Sequence, residues 1–314
     1  MENTWRLNIR TGWIVGLALA VILIGATVGL VVAAVVTPVS IRVFLLGLGA
    51  CITLGLAIRV LTQLWGLINA NYELDRNALV IHWGPIEHQI PMGSIRDVIS
   101  GAKLENVRIR PSLRWPGYVV AFGKATAPEG DSEPDETESA DLDPILFYAS
   151  APLKHQVILR TDGITYAISP EDTEAFLVAL RERLEMGPTQ EVEEHSTHPA
   201  FLDWEIWGDR WSLAMLGCSV GLLILMVGVL CWRFPYLSAE IPLKFTPAGS
   251  VLLTGGRARI FYFALVGTAF TLTNGGLGLF FYRRQRPLSY FLWSGLLAVL
   301  GGLWAAVVSI LLRQ

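Results

Sequence analysis

Apolar residues fall into five long runs, at 12–36, 43–68, 211–232, 260–282 and 290–312, and polar residues gather between the second and third. Each run approaches or exceeds the ~20 residues that a helix needs to cross the hydrocarbon of a bilayer. The pattern predicts a pair of membrane helices, a polar insert, and three further membrane helices. Arg6 and Arg10 precede the first run, but its length, and a second run only "TPVSIR" away, favour a retained anchor over a cleaved leader. Arg59 and Gln63 lie near the end of the second run beside Trp65, where long polar side chains can reach the interface.

The insert alternates. "NYELDRNALVIHWGPIEHQIPMGSIRDVIS" (71–100) predicts four strands, with turns at 76–78 and at Gly84-Pro85. "GYVVAFG", "PILFYAS", "HQVILRTDG" and "ITYAISP" predict four more, with Thr161-Asp162-Gly163 at a hairpin turn. A helix follows. Pro170 is expected to open it with Ser169 as cap, Phe176, Leu177, Leu180 and Leu184 form its apolar face, and Gly187-Pro188 stops it. A bent antiparallel β-sheet closed by one C-terminal helix would bury such a pattern, so the expected fold class is an α+β membrane protein.

The expected organisation is a helix pair over 1–68, a sheet domain over 69–200, and 201–314 as an interfacial segment plus three helices. In "FLDWEIWGDRW", Phe201, Trp204, Trp207 and Trp211 share one rough face, which suits that interfacial segment. Residues 124–144 are rich in Pro, Ser and acids, a composition that predicts a disordered loop between strands.

Charge refines the picture. Only 16% of residues are charged, against about a quarter in soluble domains, and the formal net charge of -3 offers nucleic acid no attractive field. Arg283, Arg284 and Arg286 lie between the fourth and fifth runs, and Arg6 and Arg10 lie before the first. The positive-inside tendency puts both segments in the cytoplasm, and with them the N-terminus and the insert, leaving the C-terminus outside. Arg233, Lys244, Arg257 and Arg259 on the outer loop oppose that assignment.

One stretch of the insert joins basic and aromatic residues. "KLENVRIRPSLRWPGY" holds Lys103, Arg108, Arg110, Arg114, Trp115 and Tyr118. It reads either as a contact for anionic lipid or a protein, or as a solvated loop whose tryptophan packs on the sheet. His195 and His198 stand near Glu193 and Glu194 without a third ligand at zinc spacing, so no metal is expected. The chain has neither a G-x-S-x-G elbow nor a phosphate loop ending in Lys-Ser/Thr, and no nucleophile–base pair is evident. No cofactor and no enzymatic activity are expected.

Two resemblances sharpen these expectations. "YELDRNALVIHWGPIEHQIPMGSIRDV" resembles the opening of bacterial pleckstrin-homology-like (PH-like) domains, through Tyr72, Leu74, the turn at 75–77, "LVIHWG" and "IPMGSIRDV". "GITYAISPEDTEAFLVALRERL" is similar to the last strand and capping helix of that family, so the resemblance spans 69–186. It implies a binding scaffold of a kind often attached to membrane helices, without implying phosphoinositide recognition. "FPYLSAEIPLKFTPAGSVLLTGG" (234–256) resembles the Leu-Pro, Ile-Pro-x-His-Phe, Gly-x-x-Asp signature of small multi-span membrane domains of unknown function, some of them in bacterial immunity and signalling proteins. Pro235, Ile241, Pro242, Phe245 and Gly249 match, Lys244 replaces the histidine, and Val251-Leu252 stand where the acid is expected. This second resemblance covers 211–312, and its prolines predict an extended loop against the membrane face.

The function expected is that of a multi-pass protein of the bacterial inner membrane. Its PH-like domain would bind or scaffold a protein, peptide or lipid at the inner face, with membrane lipids and an unidentified protein as partners. A transporter or channel component is the alternative, for which Thr268, Thr271, Thr273 and Asn274 are the notable polar set in a span. A signalling or immunity role is a further alternative.

Overall fold

The computed structural model describes residues 4–103, 107–110, 112–125, 144–190, 192, 194–197, 204–245 and 251–312. Most of the acidic segment 124–144, together with Glu193, His198, Phe201 and Gly249, lies outside the described residues. The chain forms two compact units, one of residues 1–24 and 54–203, the other of residues 25–53 and 204–314.

The first unit opens with β1 (Thr4–Arg6) and includes the start of α1 (Arg10–Val36) and the end of α2 (Ile41–Ile68). At 1.5 Å per residue each of these two helices runs about 40 Å, some 10 Å more than the ~30 Å hydrocarbon core. One face of this surplus packs against protein. Gly12 and Gly16 of α1 pack against Leu67 and Leu64 of α2, and Val60, Leu64 and Leu67 belong to the core of the sheet domain. The end of the second apolar run is therefore apolar for the sake of that core.

The strands that follow are β2 (Asn71–Leu74), β3 (Ala78–Trp83), β4 (Ile86–Pro91), β5 (Ile95–Ser100), β6 (Val107–Ile109), β7 (Val119–Ala125), β8 (Pro144–Ala149), β9 (Val157–Thr161) and β10 (Thr165–Ile168), then α3 (Thr173–Met186) and β11 (His195–Thr197). They form a five-stranded sheet in the order β1-β2-β3-β4-β11 and a six-stranded sheet in the order β5-β9-β10-β8-β7-β6. Pairing is antiparallel except between β10 and β8, where Thr165 to Ile168 run parallel to Ile145 to Tyr148. This departs from the expected all-antiparallel sheet. The β9–β10 hairpin folds back so that β10, not β9, lies beside β8.

Strand β8 buries both faces. Leu146 and Tyr148 pack with the main core, Ile145 and Phe147 with a second cluster around Ala121, Ile158 and Ala167. The phenol of Tyr72 on β2 ties the two sheets together, donating to the carbonyl of Tyr148 at 2.6 Å and accepting from the Ser169 N–H at 3.1 Å. Burial pushes the pKa of this phenol well above its ordinary range.

The capping helix starts later than the sequence suggests. Asp172, not Ser169, is its N-cap, accepting from the Ala175 N–H. The residues before it are held in extended pairing. Ser169 Oγ accepts from the Ser150 N–H, Pro170 bridges to Leu7, and the Glu171 N–H donates to the Arg6 carbonyl. From Thr173 onward the periodicity holds, with Phe176 and Leu180 fully buried and Leu177 and Leu184 partly so. Trp5 of β1 meets Phe176 edge-on at 5.5 Å.

The second unit contains the remaining parts of α1 and α2, then α4 (Arg210–Arg233), β12 (Glu240–Phe245), β13 (Val251–Gly256), α5 (Phe261–Tyr282) and α6 (Arg286–Leu312). Together with α1 and α2, the three long helices make five among the described residues that are long and apolar enough to cross a membrane. Thr27 and Thr53 join α1 to α2 by a 2.8 Å hydroxyl bond. Where an extended loop was expected, β12 and β13 pair as an antiparallel hairpin with a register irregularity near Pro242. Pairing satisfies backbone groups that proline alone would leave open, and Ile241 anchors the hairpin in a core with Met226, Leu230, Ile260 and Val307.

Asp209 fastens α4 to α5 and α6. It caps α4 through the Trp211 and Ser212 N–H groups, and its Oδ2 accepts from the hydroxyls of Ser212, Tyr282 and Tyr290. Hydrogen bonds from Ser212 and then Tyr290 hold its carboxyl well below the ordinary range. Just before it, the 3₁₀ turn Glu205–Gly208 buries Ile206, while Trp207 and Trp211 are exposed and Arg283 stacks over Trp204.

Candidate functional site

Among the described residues, strand β5 ends the six-stranded sheet and pairs with β9. Its charged residues suit an edge, and Arg96 forms an ion pair with Asp162 in the β9–β10 turn. At Gly101 the chain meets the 3₁₀ turn Leu153–His155 so closely that a Cβ would lie 2.0 Å from the Leu153 carbonyl oxygen. The Gly101 N–H donates to Gln156 O at 2.8 Å and fixes this junction.

A groove of about 470 Å³ lies between this junction and α3. Val98, Ile99 and Ser100 of β5 line one wall, and Thr173, Glu174 and Leu177 of α3 the other. Lys154 and Arg181 add positive charge and Glu174 negative charge, and both Lys154 and Arg181 are exposed. The groove thus combines the end of the β5–β9 pair, apolar side chains, two cations and the carboxylate of Glu174. His155 and Thr173 also border a smaller pocket of about 370 Å³ lined by Thr11, Ser150 and Ser169 among others.

The basic-aromatic stretch is split by the fold. Lys103 ends the 3₁₀ turn Gly101–Lys103 and Arg108 sits within β6. Arg110 is exposed with its guanidinium 4.9 Å over Phe122, and Arg114 is exposed. Trp115 and Tyr118 face inward, with relative exposures of 6% and 4%. Their rings stack at 4.4 Å, and the Trp115 indole N–H donates to the Gly12 carbonyl at 2.8 Å. They are therefore packing residues between helix and sheet, not members of one exposed patch with the arginines. Gln63 of α2 donates to the Leu113 carbonyl, so anchored neighbours on both sides hold Arg114 beside the α1–α2 helix pair.

The fold also assembles a hydroxyl–imidazole pair that sequence reading does not find. Ser196 Oγ lies 2.7 Å from His88 Nδ1, and His88 Nε2 lies 2.7 Å from the Tyr148 hydroxyl. In a hydrolytic triad a carboxylate occupies the third place and stabilises the imidazolium. Here that place holds a phenol whose pKa burial pushes far up. The arrangement ties β11 to the domain.

Residues 135–184 match a protein-family model described as Bacterial PH domain. A bacterial PH-like domain is present at these residues. The match takes in β8, β9, β10 and most of α3, and with them Lys154, His155, Thr173, Leu177 and Arg181 of the groove. The opening stretch that resembles the family, 72–98, falls outside the matched residues. Comparison with curated proteins and with solved structures gives no match. The PH-like domain and the five long apolar helices together support association with a membrane.

Proposed function

We propose that the chain is a membrane-anchored binding protein whose PH-like domain captures an extended, acidic segment of a partner protein along β5. The observation that carries this reading is the groove between α3 and β5, the terminal strand of the six-stranded sheet among the described residues, bordered by Lys154 and Arg181. A strand added there gains main-chain hydrogen bonds regardless of sequence, and the cations favour acidic side chains. Arg114, held beside the α1–α2 helix pair, contacts anionic headgroups and sets the orientation of the domain. The arginine clusters support a cytoplasmic orientation of the domain in a bacterial cell. Transport is the weaker reading, because Thr268, Thr271, Thr273 and Asn274 donate to carbonyls of their own helix.

The test is selection of random 12-residue peptides displayed on phage against the full chain in nanodiscs. Acidic peptides without proline should be enriched, and a synthetic copy should bind Lys154→Glu/Arg181→Glu at least tenfold more weakly. Equal binding to parent and variant, or enrichment of basic peptides, would sink the groove as the site.

A further inference from the structure

The second unit carries an open apolar groove of about 600 Å³ between the first half of α2 and α4. Ile41, Phe44 and Leu48 supply one side, and Gly221, Leu225 and Trp232 mark the course of the other. The glycines make the channel. A Cβ at Gly221 would meet nothing within 4 Å, and the nearest atoms to one at Gly228 belong to the Phe44 ring, at 3.2 Å.

Length argues for the kind of occupant. From Gly221 to Trp232 the helix rises ~16 Å at 1.5 Å per residue. That is about half of the ~30 Å hydrocarbon, the depth of one leaflet. A packed transmembrane helix would use the full depth, whereas a single acyl chain uses half.

Charge argues for which lipid. Inside a bilayer an apolar groove gains little by exchanging one acyl chain for another, so selectivity must come from its polar end. That end is marked by Ile41 and Trp232, and each is followed in sequence by an arginine. Arg233 lies with its guanidinium 5.5 Å over the Trp232 ring, and Arg42 is exposed in the first turn of α2. Among the described residues neither makes an ion pair. We infer that this groove holds one acyl chain of an anionic phospholipid, in the leaflet on the side of the α1–α2 turn, with the headgroup phosphate at Arg42 and Arg233.

Native mass spectrometry of the delipidated full chain can test this, with phosphatidylglycerol and phosphatidylcholine of identical chains added in turn. The parent should retain phosphatidylglycerol at least tenfold better. Gly221→Leu, which fills the channel from open space, should abolish retention of that lipid, and Arg42→Gln/Arg233→Gln should erase the preference between the two. If Gly221→Leu does not fold, Leu225→Trp obstructs the same channel from an exposed position. Equal retention of both lipids by the parent, or undiminished retention by the channel-filling variant, refutes the proposal. So does a mass of two chains that Gly221→Leu reduces to one, because the groove is then a site for a second copy.

Discussion

The indole N–H of Trp115 donates to the carbonyl of Gly12 at 2.8 Å, joining a loop of the sheet domain to the first turn of α1. The contact exists because two backbones meet without side chains. A Cβ on Gly117 would lie 2.2 Å from the Gly12 nitrogen, and Gly117 has φ +86°. Gly117→Ala should therefore lower stability by more than the roughly 1–2 kcal/mol that left-handed φ costs an alanine. Trp115→Phe should cost ~1 kcal/mol through the lost hydrogen bond. Thermal unfolding of the full chain in detergent measures both, with Gly93→Ala as the control, since a Cβ there meets nothing. An unchanged Gly117→Ala melting curve would mean that this contact does not form.

Leu180 and Val178 lie two residues apart on α3 but differ in environment. Leu180 is 1% exposed within the main core, and Val178 is 57% exposed. Leu180→Asp should cost ~3 kcal/mol or more, because it removes packing and buries a charge. Val178→Asp should stay within about 0.5 kcal/mol of the parent. Urea unfolding followed by tryptophan fluorescence separates the two, and similar losses would contradict the orientation of α3.

Asp209 predicts a pH dependence. Its folded pKa is depressed below the ordinary 3.8 by hydroxyl donors. Such a group contributes stability that is fully present above the unfolded value and is lost as pH falls toward the folded one. Asp209→Asn should therefore melt below the parent at neutral pH, and the gap should narrow below about pH 4. A gap that stays constant down to pH 2.5 would show that the carboxylate charge is not what binds the three helices.

Orientation is open to direct labelling. In a background with Cys51, Cys218 and Cys231 replaced by alanine, single cysteines at Glu182 and Ser238 report on the two faces. The arginine clusters predict that an impermeant maleimide applied to intact cells modifies the cysteine at 238 and spares that at 182. Labelling at 182 without permeabilisation would reverse the topology.

The helices were legible because a run of twenty apolar residues has few other uses, and β2 to β5 because turn residues separate alternating segments. The start of α3 was misread because Ser169 and Pro170 are good local signals overridden by pairing with the chain around Leu7. Strand β1 has only three residues, and its partner β2 is separated from it by both α1 and α2, so no local pattern marks it. The groove was hidden for the same reason. It depends on which strand ends the six-stranded sheet and on the approach of Gly101 to Leu153, both long-range facts. Basic residues next to aromatic ones suggested a patch, but the alternation that sends Trp115 inward leaves Arg114 outside.

Strand β1 precedes α1, and its partner β2 follows α2, so the domain is sewn from two stretches of chain on either side of a helical hairpin. No single cut can release it whole. A recombinant fragment beginning at residue 69 would lose Trp5 from its place on Phe176 and leave β2 as a raw edge that invites aggregation. Grafting residues 4–9 ahead of residue 70 through a short glycine-serine bridge should restore solubility, as sedimentation of the two fragments would reveal. In the living cell the same seam imposes a schedule. The ribosome issues β1 before both helices, and that strand must wait, unpartnered, until β2 follows α2.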